Sequence, residues 1–452
     1  MPGPEFRLAV ANVIFVASAV EFAGLSTRLR DSRKAIFELN SHRPWCRIWE
    51  DRRRRSVEHR PNPIVLFKFE VKEMKRSCMF AVIWLVTVGA SLTFADGREV
   101  TFSAEALLAH VRVMSHKSLL GRRAGTPFER RAVEYISRQL DAANVRPFPP
   151  DIRTQSFRLN STAGSPLSAN VLGYIGSSDN AELDEVIVLG AHLDHLGGTQ
   201  AGGFYPGADD NASGVAVVLE VAAALQRNRK LLRRPVVVVF FGAEEIGLIG
   251  SKRFVRDGPI AHARIAAMVN IDMIGRPLMD QTKLRLLKNL LKIDSSNGIG
   301  VIGTAGRPLF ARSVEEFTAK FGLKPYGTQA ALAPIIKQLS RNRSDHSPFE
   351  RVGIPTLFFS SGESDDYHQP GDTIDKLSPE LMARRAQLVF SVVLSLATAP
   401  SDELPARENS VAPDGEKVKT LELRAGALVL QIQDNSVSPK VLSGLQSLSH
   451  SK

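Results

Sequence analysis

The sequence predicts an α/β fold in which a mixed, mostly parallel central sheet is flanked by helices. Two apolar runs, residues 186–189 and 236–241, are short, rich in β-branched residues and followed by Gly, which is typical of buried strands. Between them, residues 213–225 alternate small and apolar side chains at helical spacing. Strands and helices alternate in this way over about 300 residues, which indicates one α/β domain.

The other elements follow the same two periodicities along the chain. Ser378 and Pro379 predict the start of the last helix, as an N-cap followed by Pro at the first helical position. A loop with the sequence GRRAGT, residues 121–126, separates the first two helices. The expected helices are residues 104–114, 127–140, 213–225, 284–293 and 381–396. The expected strands are residues 169–175, 186–189, 236–241, 266–271, 299–303 and 355–359.

The front of the chain differs from the rest in composition and contains a targeting pattern. A basic head at residues 74–76 precedes an apolar core at residues 79–90 and a small-residue cleavage site at residues 92–95, the layout of a secretory signal peptide. The alternative is a buried helix or a retained membrane anchor. We expect residues 74–95 to be a signal peptide, and the mature protein to be periplasmic or secreted without stable membrane association.

Residues 1–73 precede that signal peptide and are rich in Arg, without a sustained strand or helix period. We expect an over-called start, with Met74 the biological one; the alternative is a disordered basic extension. The net charge of +11 is concentrated here, since residues 1–95 carry 16 Lys and Arg against 9 Asp and Glu. No basic stripe with interleaved aromatic residues follows, so we expect no nucleic-acid binding. At the other end, residues 401–452 form a tail of uncertain order, in which residues 421–432 could make one or two strands.

Six side chains of the metal-binding type occur in the predicted domain, several of them directly after strands. Open α/β sheets place their sites at the carboxyl ends of strands, so these side chains are expected to converge. Zinc takes imidazole nitrogen and carboxylate oxygen, and catalytic zinc keeps one position open for water. Five plausible ligands exceed the need of one ion, which predicts two ions sharing a carboxylate, with a sixth group as the base. The six are His192, Asp210, Glu244, Glu245, Asp272 and His368.

Six sequence blocks in order resemble the signatures of one enzyme family. The blocks HLDH, GADDNASG, FGAEEIG, NIDMIG, SDHSPF and YHQPGDT are similar to those of the co-catalytic zinc aminopeptidases, metallopeptidase family twenty-eight. That family includes bacterial leucyl aminopeptidases and aminopeptidase Y, with the glutaminyl cyclases as relatives. The resemblance runs over residues 121–397. It implies a zinc exopeptidase (phosphorylase/hydrolase-like) fold for a zinc peptidase domain at residues 97–400.

The resemblance also implies a role for each of the six residues. His192 and Asp272 would hold one zinc ion, and Glu245 and His368 the other. Asp210 would bridge the two ions, with Asp209 as its rival in register. The family motif places the bridging Asp directly before Asn, which favours Asp210 and implies a cis bond between the two residues. Glu244 would be the general base, taking a proton from the metal-activated water and returning it to the leaving amine.

Four neighbouring residues receive weaker assignments. Asp194, two residues after His192, suits an acceptor for the ring N–H of that histidine. His195 has no assigned role, and a solvated or structural imidazole is expected. Asp345 and His346 match a family block near the substrate pocket and are possible substrate contacts. One departure concerns a Tyr that some family members carry just before Ser-Asp-His, because residues 338–343 contain two Arg and no Tyr.

The function that these observations favour is an exported di-zinc aminopeptidase that hydrolyses the first residue from peptides with a free N-terminus. The main alternative is a glutaminyl-peptide cyclotransferase of the same fold, which uses one zinc ion. A carboxypeptidase of the wider clan and a receptor-like relative without metals are further alternatives. Every expected ligand position is intact, which argues against the last of these. The pattern makes no prediction about the preferred first residue or the oligomeric state.

Overall fold

A computed structural model describes residues 100–149, 151–176, 185–290, 292–328 and 344–407, together with 422–424 and 427–429. The expected signal peptide at residues 74–95 and the extension before it lie outside these residues. Most of the expected tail lies outside them as well. The short strands Glu422–Arg424 and Ala427–Val429 pair antiparallel, within the part of the tail where strands were expected.

An eight-stranded mixed sheet forms the centre of the described domain, with the strand order β1-β2-β4-β3-β5-β8-β6-β7. The central strands β4, β3, β5 and β8 are parallel to one another, whereas β1/β2, β2/β4 and β6/β8 are antiparallel pairs. This confirms the predicted mixed, mostly parallel sheet. The strands are β1 (Thr154–Arg158), β2 (Leu167–Ile175), β3 (Val186–His192), β4 (Val236–Phe241), β5 (Ile265–Ile271), β6 (Gly298–Ile302), β7 (Lys324–Tyr326) and β8 (Thr356–Ser360).

Helices accompany the sheet along the described chain. The long helix α8 packs against α1, α3 and α6, and α2 packs against β2. The apolar faces of these helices meet the apolar faces of the strands, which buries both. The helices are α1 (Ala104–Met114), α2 (Pro127–Ala142), α3 (Gly214–Arg227), α4 (Ile249–Asp257), α5 (Arg285–Leu290), α6 (Pro308–Lys320), α7 (His346–Arg351) and α8 (Pro379–Thr398).

The strands that sequence reasoning found are those buried on both faces. Every residue of β3 and of β4 is buried, so each strand is a continuous apolar run, as parallel strands covered on both sides require. The strands that it missed, β1 and β7, lie at the two edges of the sheet and are only partly buried. Their sequences TQSFR and KPY carry little hydrophobic signal, because an edge strand needs little apolar surface.

Helix α8 is the one described helix that is long and apolar enough to cross a membrane, with a mean hydropathy of 1.3. Within the protein, however, 72% of this apolar stretch is buried against other elements. We therefore interpret α8 as a core helix of the domain. It begins after Ser378 with Pro in the first turn, as predicted, although the Ser378 side chain makes no capping hydrogen bond.

Candidate metal and active site

The four parallel strands deliver most of the predicted side chains to one edge of the sheet. His192 is the last residue of β3, and Asp272 directly follows β5. Glu244 and Glu245 lie in the turn that follows β4. Because the four strands run in the same direction, their carboxyl ends place these groups side by side.

Two further side chains come from loops at the same edge. Asp210 lies in an irregular turn, Ala208–Ser213, which leads directly into α3. His368 lies in the loop after β8 and has a left-handed backbone, with φ of 57°. The peptide bond between Asp210 and Asn211 is cis, as the resemblance implies.

Asp210 sits between two groups of ligand atoms and turns one oxygen towards each. Its Oδ1 lies 3.2 Å from Nε2 of His192, and that nitrogen is also 3.2 Å from Oδ1 of Asp272. Its Oδ2 lies 3.2 Å from Nε2 of His368, which is in turn 3.1 Å from Oε2 of Glu245. We call the candidate ligands His192 and Asp272 the inner ligand group, and the candidate ligands Glu245 and His368 the outer ligand group. Asp210 belongs to both.

Asp209, the alternative bridging residue, points away from both groups. Its carboxylate accepts hydrogen bonds from the amide of Gly275 at 2.7 Å and from Oγ of Ser213 at 3.1 Å. These bonds tie the turn to the loop after β5. Of the two neighbouring carboxylates, Asp210 is therefore the one that faces both groups.

In these two groups the pKa values of two carboxylates are lowered and that of an imidazole is raised. Burial raises the pKa of Asp210, but hydrogen bonds with His192 and His368 outweigh it and hold that pKa well below its usual value. Burial and the charge of Asp210 raise the pKa of Glu245, but contacts with His195 and His368 leave it lowered. Burial lowers the pKa of His368, yet its contacts with Asp210 and Glu245 raise it to about 10. Contacts between carboxylate and imidazole thus favour the charged form of each of these three side chains.

Glu244 differs from these carboxylates. Its carboxylate lies within 4.8 Å of ligand atoms of both His192 and Glu245. Burial raises its pKa well above the usual value; His192 opposes this, while the charges of Asp345, Asp272 and Glu245 add to it. A buried carboxyl with a raised pKa, placed beside such a cluster, suits proton transfer.

The donor set fits zinc. The buried side chains of His192, Asp210 and Asp272 each place one possible ligand atom within 4.8 Å of the other two. A second such group combines Asp210 and Glu245 with His195. Nε2 of His368 lies 3.2 Å from Asp210 and 3.1 Å from Glu245, so two imidazoles adjoin this pair of carboxylates. Imidazole nitrogen together with carboxylate oxygen is the donor combination of catalytic zinc sites.

Comparison with known proteins identifies the domain. Residues 170–393, about half of the chain, match the model of peptidase family M28. The chain carries a peptidase family M28 domain. The expected family is therefore confirmed, and the matched residues contain all six predicted side chains.

Relatives of this M28 domain include named aminopeptidases. A "Probable leucine aminopeptidase" of Arthroderma benhamiae is 29% identical over 224 residues, which cover 48% of this chain and 55% of that protein. "Leupeptin-inactivating enzyme 1" of Streptomyces exfoliatus is 27% identical over 286 residues, covering 59% of this chain and 55% of that protein. The chain thus spans about half the length of the curated relatives it matches.

A solved structure shares the fold of the M28 domain. A zinc aminopeptidase from Bacillus subtilis superposes with a TM-score of 0.51 at 17% identity, covering 68% of this chain and 99% of that chain. At this level of identity the likeness concerns the fold alone. It agrees with the mixed sheet of eight strands described above.

Asp194 has a different role from the one expected. Its Oδ1 lies 4.0 Å from Nδ1 of His192, beyond hydrogen-bond distance. Instead its two oxygens accept from the backbone amides of Glu244 and Glu245, at 2.9 and 3.4 Å. Asp194 therefore positions the turn that carries both glutamates, while the distance from its Oδ1 to the His192 ring is too long for the expected hydrogen bond.

His195 belongs to the cluster, although the sequence left it without a role. The imidazole is buried rather than solvated, and its Nδ1 lies 2.6 Å from Oε1 of Glu245 and 3.8 Å from Oδ2 of Asp210. Since His195 contacts Oε1 while His368 faces Oε2, it orients the Glu245 carboxylate towards the outer ligand group. The sequence does show a second histidine three residues after His192. That spacing, in a loop after a strand, does not predict which way the His195 side chain points.

Asp345 and His346, the expected substrate contacts, lie beneath the site. Both are buried, at 0% and 1% exposure, and neither lines the cavity described below. His346 stacks on Phe358 with ring centroids 4.5 Å apart, and burial lowers its pKa. Burial raises the pKa of Asp345 to about 7, and its charge is one of those that act on Glu244. We therefore correct these two residues from substrate contacts to groups behind the cavity wall. Residues 338–343, where the family's Tyr is missing, lie outside the described residues.

A cavity of about 700 Å³ opens in front of the ligand groups. Tyr367 forms part of its wall and stacks on the imidazole of His368, with ring centroids 3.9 Å apart. Glu363 also lines the cavity and accepts a hydrogen bond from Gln281 at 3.1 Å. Most of the remaining wall is apolar: Leu248, Met273, Leu278, Met279, Leu284, Val301, Ile302 and Phe358.

Proposed function

We propose that this protein is a zinc aminopeptidase that binds two ions and removes the first residue of peptides. The observation that supports this best is the position of Asp210, whose two oxygens face two separate pairs of ligands. A carboxylate between two such pairs is the arrangement of a two-ion centre. The inner ligand group would hold one zinc ion and the outer ligand group the other.

Glu244 would carry the proton in this reaction. Two zinc ions bound at the centre would supply a water of lowered pKa and polarise the scissile carbonyl. Glu244 lies beside His192 and Glu245, close enough to accept a proton from the attacking water. Its raised pKa then favours holding that proton until the leaving amine takes it. Asp194 keeps Glu244 in place by accepting a hydrogen bond from its backbone amide.

The lining of the cavity favours an apolar first residue. Leu, Met, Val, Ile and Phe side chains form most of the wall next to the ligand groups. An apolar side chain gains free energy by leaving water for such a surface, about 25 cal/mol per Å². We propose peptides with a free N-terminus and an apolar first residue, such as leucyl or phenylalanyl peptides, as substrates.

One experiment distinguishes this proposal from its main alternative. The zinc-loaded protein is incubated with a peptide that begins with Leu and with one that begins with Gln, and the masses are followed. We expect the first peptide to lose one residue and the second not to lose ammonia. Loss of ammonia from the Gln peptide, with the Leu peptide intact, would instead indicate a glutaminyl cyclase. Elemental analysis should give close to two zinc ions per chain; a ratio of one with full activity would contradict the two-ion centre.

We also propose that the protein is exported and that its mature form begins near Asp96. The support is the composition of residues 74–95, with a basic head, an apolar core and small residues before the cleavage point. N-terminal sequencing of the native protein from the cell envelope or medium tests this. A native N-terminus before Met74 would contradict the cleavage.

A further inference from the structure

Arg122 is a fully buried arginine that the proposed function leaves without a role. It belongs to the GRRAGT loop between α1 and α2. The preceding residue, Gly121, has φ of 66°, and a Cβ there would lie 2.5 Å from the carbonyl oxygen of Gly197. Only glycine allows this close approach, and it brings Arg122 against the loops that follow β3.

Every N–H of the Arg122 guanidinium donates to a backbone carbonyl. Nε donates to Leu193 at 2.9 Å, and Nη1 donates to Met114 and Pro206 at 3.2 and 2.7 Å. Nη2 donates to Gly207 at 2.8 Å and to Asp210 at 3.0 Å. Five donors in a fixed fork are the full capacity of an arginine. One of these acceptors follows the ligand His192, and another is the carbonyl of Asp210 itself.

Asp372 holds the same turn from the amide side. Its carboxylate accepts from the backbone N–H of Asp209 at 3.0 Å and of Asp210 at 3.0 Å. Its own backbone carbonyl accepts from the N–H of Ala208 at 3.1 Å. Asp372 is buried, at 2% exposure. The turn that carries Asp210 is therefore held between a buried cation on its carbonyls and a buried anion on its amides.

We propose that Arg122 is a positioning residue of the metal centre, with Asp372 as its counterpart: together they set the location of Asp210 relative to His192. The proposal rests on the zinc-binding part of the proposed function and is independent of the substrate. Arg122 joins Leu193, next to His192, to Asp210, and so couples the end of β3 to the turn before α3. Lysine cannot replace it, because one ammonium group cannot reach five carbonyls spread over three segments.

The test compares two buried arginines by the same substitution. Arg234 is 5% exposed; it contacts Glu185 at 2.7 Å, the Ala399 carbonyl at 2.5 Å and Ser401 at 2.6 Å. It lies just before β4, at the end of the sheet away from the ligands. The zinc-free full chain, Arg122→Lys and Arg234→Lys are titrated with zinc against a chromophoric chelator, and the thermal unfolding of each zinc-free protein is recorded.

We expect both variants to unfold at a lower temperature, but only Arg122→Lys to bind zinc more weakly, by about 10–100-fold, the usual loss when a partner that orients metal ligands is removed. Unchanged zinc affinity in Arg122→Lys would overturn the inference, as would an equal loss of affinity in Arg234→Lys. A wild-type chain that takes up no zinc would refute the proposed function as well, so the two failures are distinguishable.

A second variant covers the case in which Arg122→Lys does not fold. Asp372→Asn keeps the volume and one oxygen acceptor but removes the charge that accepts from the turn. We expect it to weaken zinc binding, while Asp375→Asn, three residues further on at an exposed position, leaves zinc affinity unchanged. Wild-type zinc affinity in Asp372→Asn would overturn the inference.

Discussion

An ion pair lies at the amino ends of β3 and β4, whereas a cluster of carboxylates and imidazoles lies at the carboxyl ends of the central strands. Near the amino ends, Arg234 joins Glu185 to the chain just after α8, with each charge close to an opposite one. At the carboxyl ends, the buried carboxylates of Asp210 and Glu245 lie against imidazoles that lower their pKa, with the buried guanidinium of Arg122 nearby. Burial of ionised groups is costly unless they are paired or bind a cation.

The difference indicates that the amino end of the strands contributes to stability and that the carboxyl end carries the functional site. The amino end combines opposite charges that satisfy each other and needs nothing from outside. The carboxyl end has an excess of acidic groups, whose negative charge a divalent cation would neutralise. Substitutions at the two ends should therefore affect different properties of the protein.

The largest effect is expected from Glu244→Gln, which removes the proton carrier at the carboxyl end. Turnover should fall by about 10²–10⁴-fold, the usual contribution of a positioned acid or base. The zinc content should stay near that of the wild type, and circular dichroism should show an intact fold. Steady-state kinetics and elemental analysis provide the two readouts.

Glu245→Gln is the matched control, since it makes the same change one residue further along the chain. It removes a charge from the outer ligand group, so we expect weaker zinc binding in addition to lost activity. Near-normal turnover in Glu244→Gln would show that another group is the base. Equal zinc loss in both variants would contradict the assignment of Glu245 as a ligand and of Glu244 as the base.

Next in size is a difference between the two ligand groups during chelation. The His368 side chain of the outer group is 35% exposed, whereas His192 of the inner group is 2% exposed. A chelator therefore reaches the outer group first, and we expect zinc to leave in two phases. Zinc released into an excess of a chromophoric chelator, followed in time, measures this. Release of all zinc in a single phase would contradict the expectation that the outer ligand group loses its zinc before the inner one.

A smaller effect is expected from Arg234→Ala at the amino end, and it should lower stability and leave activity unchanged. It removes charge-assisted hydrogen bonds to the Ala399 carbonyl and to Ser401, and the loss of such a bond costs about 1.5–3 kcal/mol of unfolding free energy. Glu185 is 41% exposed and adds little, since exposed ion pairs contribute about 0–1 kcal/mol. Urea unfolding should show the loss while turnover and zinc content are unchanged. Reduced turnover in the folded variant would mean that the two ends are not independent.

The smallest effect concerns helix caps, which belong to neither end. The Ser103 side chain accepts from the amide of Ala106 at 3.2 Å, so Ser103→Ala should cost about 1 kcal/mol. Ser378, at the same position before α8, makes no capping hydrogen bond with its side chain. We expect Ser378→Ala to cost less than Ser103→Ala in urea unfolding. The reverse order would show that side-chain capping does not stabilise α1.

Particular residues show how far prediction from sequence reached. The strands β3 and β4 were found because burial on both faces makes them uninterrupted apolar runs. Helix α1 was predicted with its observed bounds, because its apolar side chains recur at helical spacing. Helices α4, α6 and α7 were not predicted. The basic helix expected at residues 284–293 is described only over Arg285–Leu290, as α5.

The site divides in the same way. The sequence alone indicated the family, through six motif blocks that resemble it. It also singled out the side chains that gather around Asp210, because their types bind metals and several of them follow buried strands. It could not assign Asp194 to the amides of Glu244 and Glu245, place Asp345 and His346 beneath the cavity, or bring His195 onto Glu245. A side chain's partner depends on distances between segments that are far apart in the chain, and no local pattern encodes them. Arg122 is the clearest case: its five acceptors come from three separate segments, and only the folded domain brings them within reach of one guanidinium.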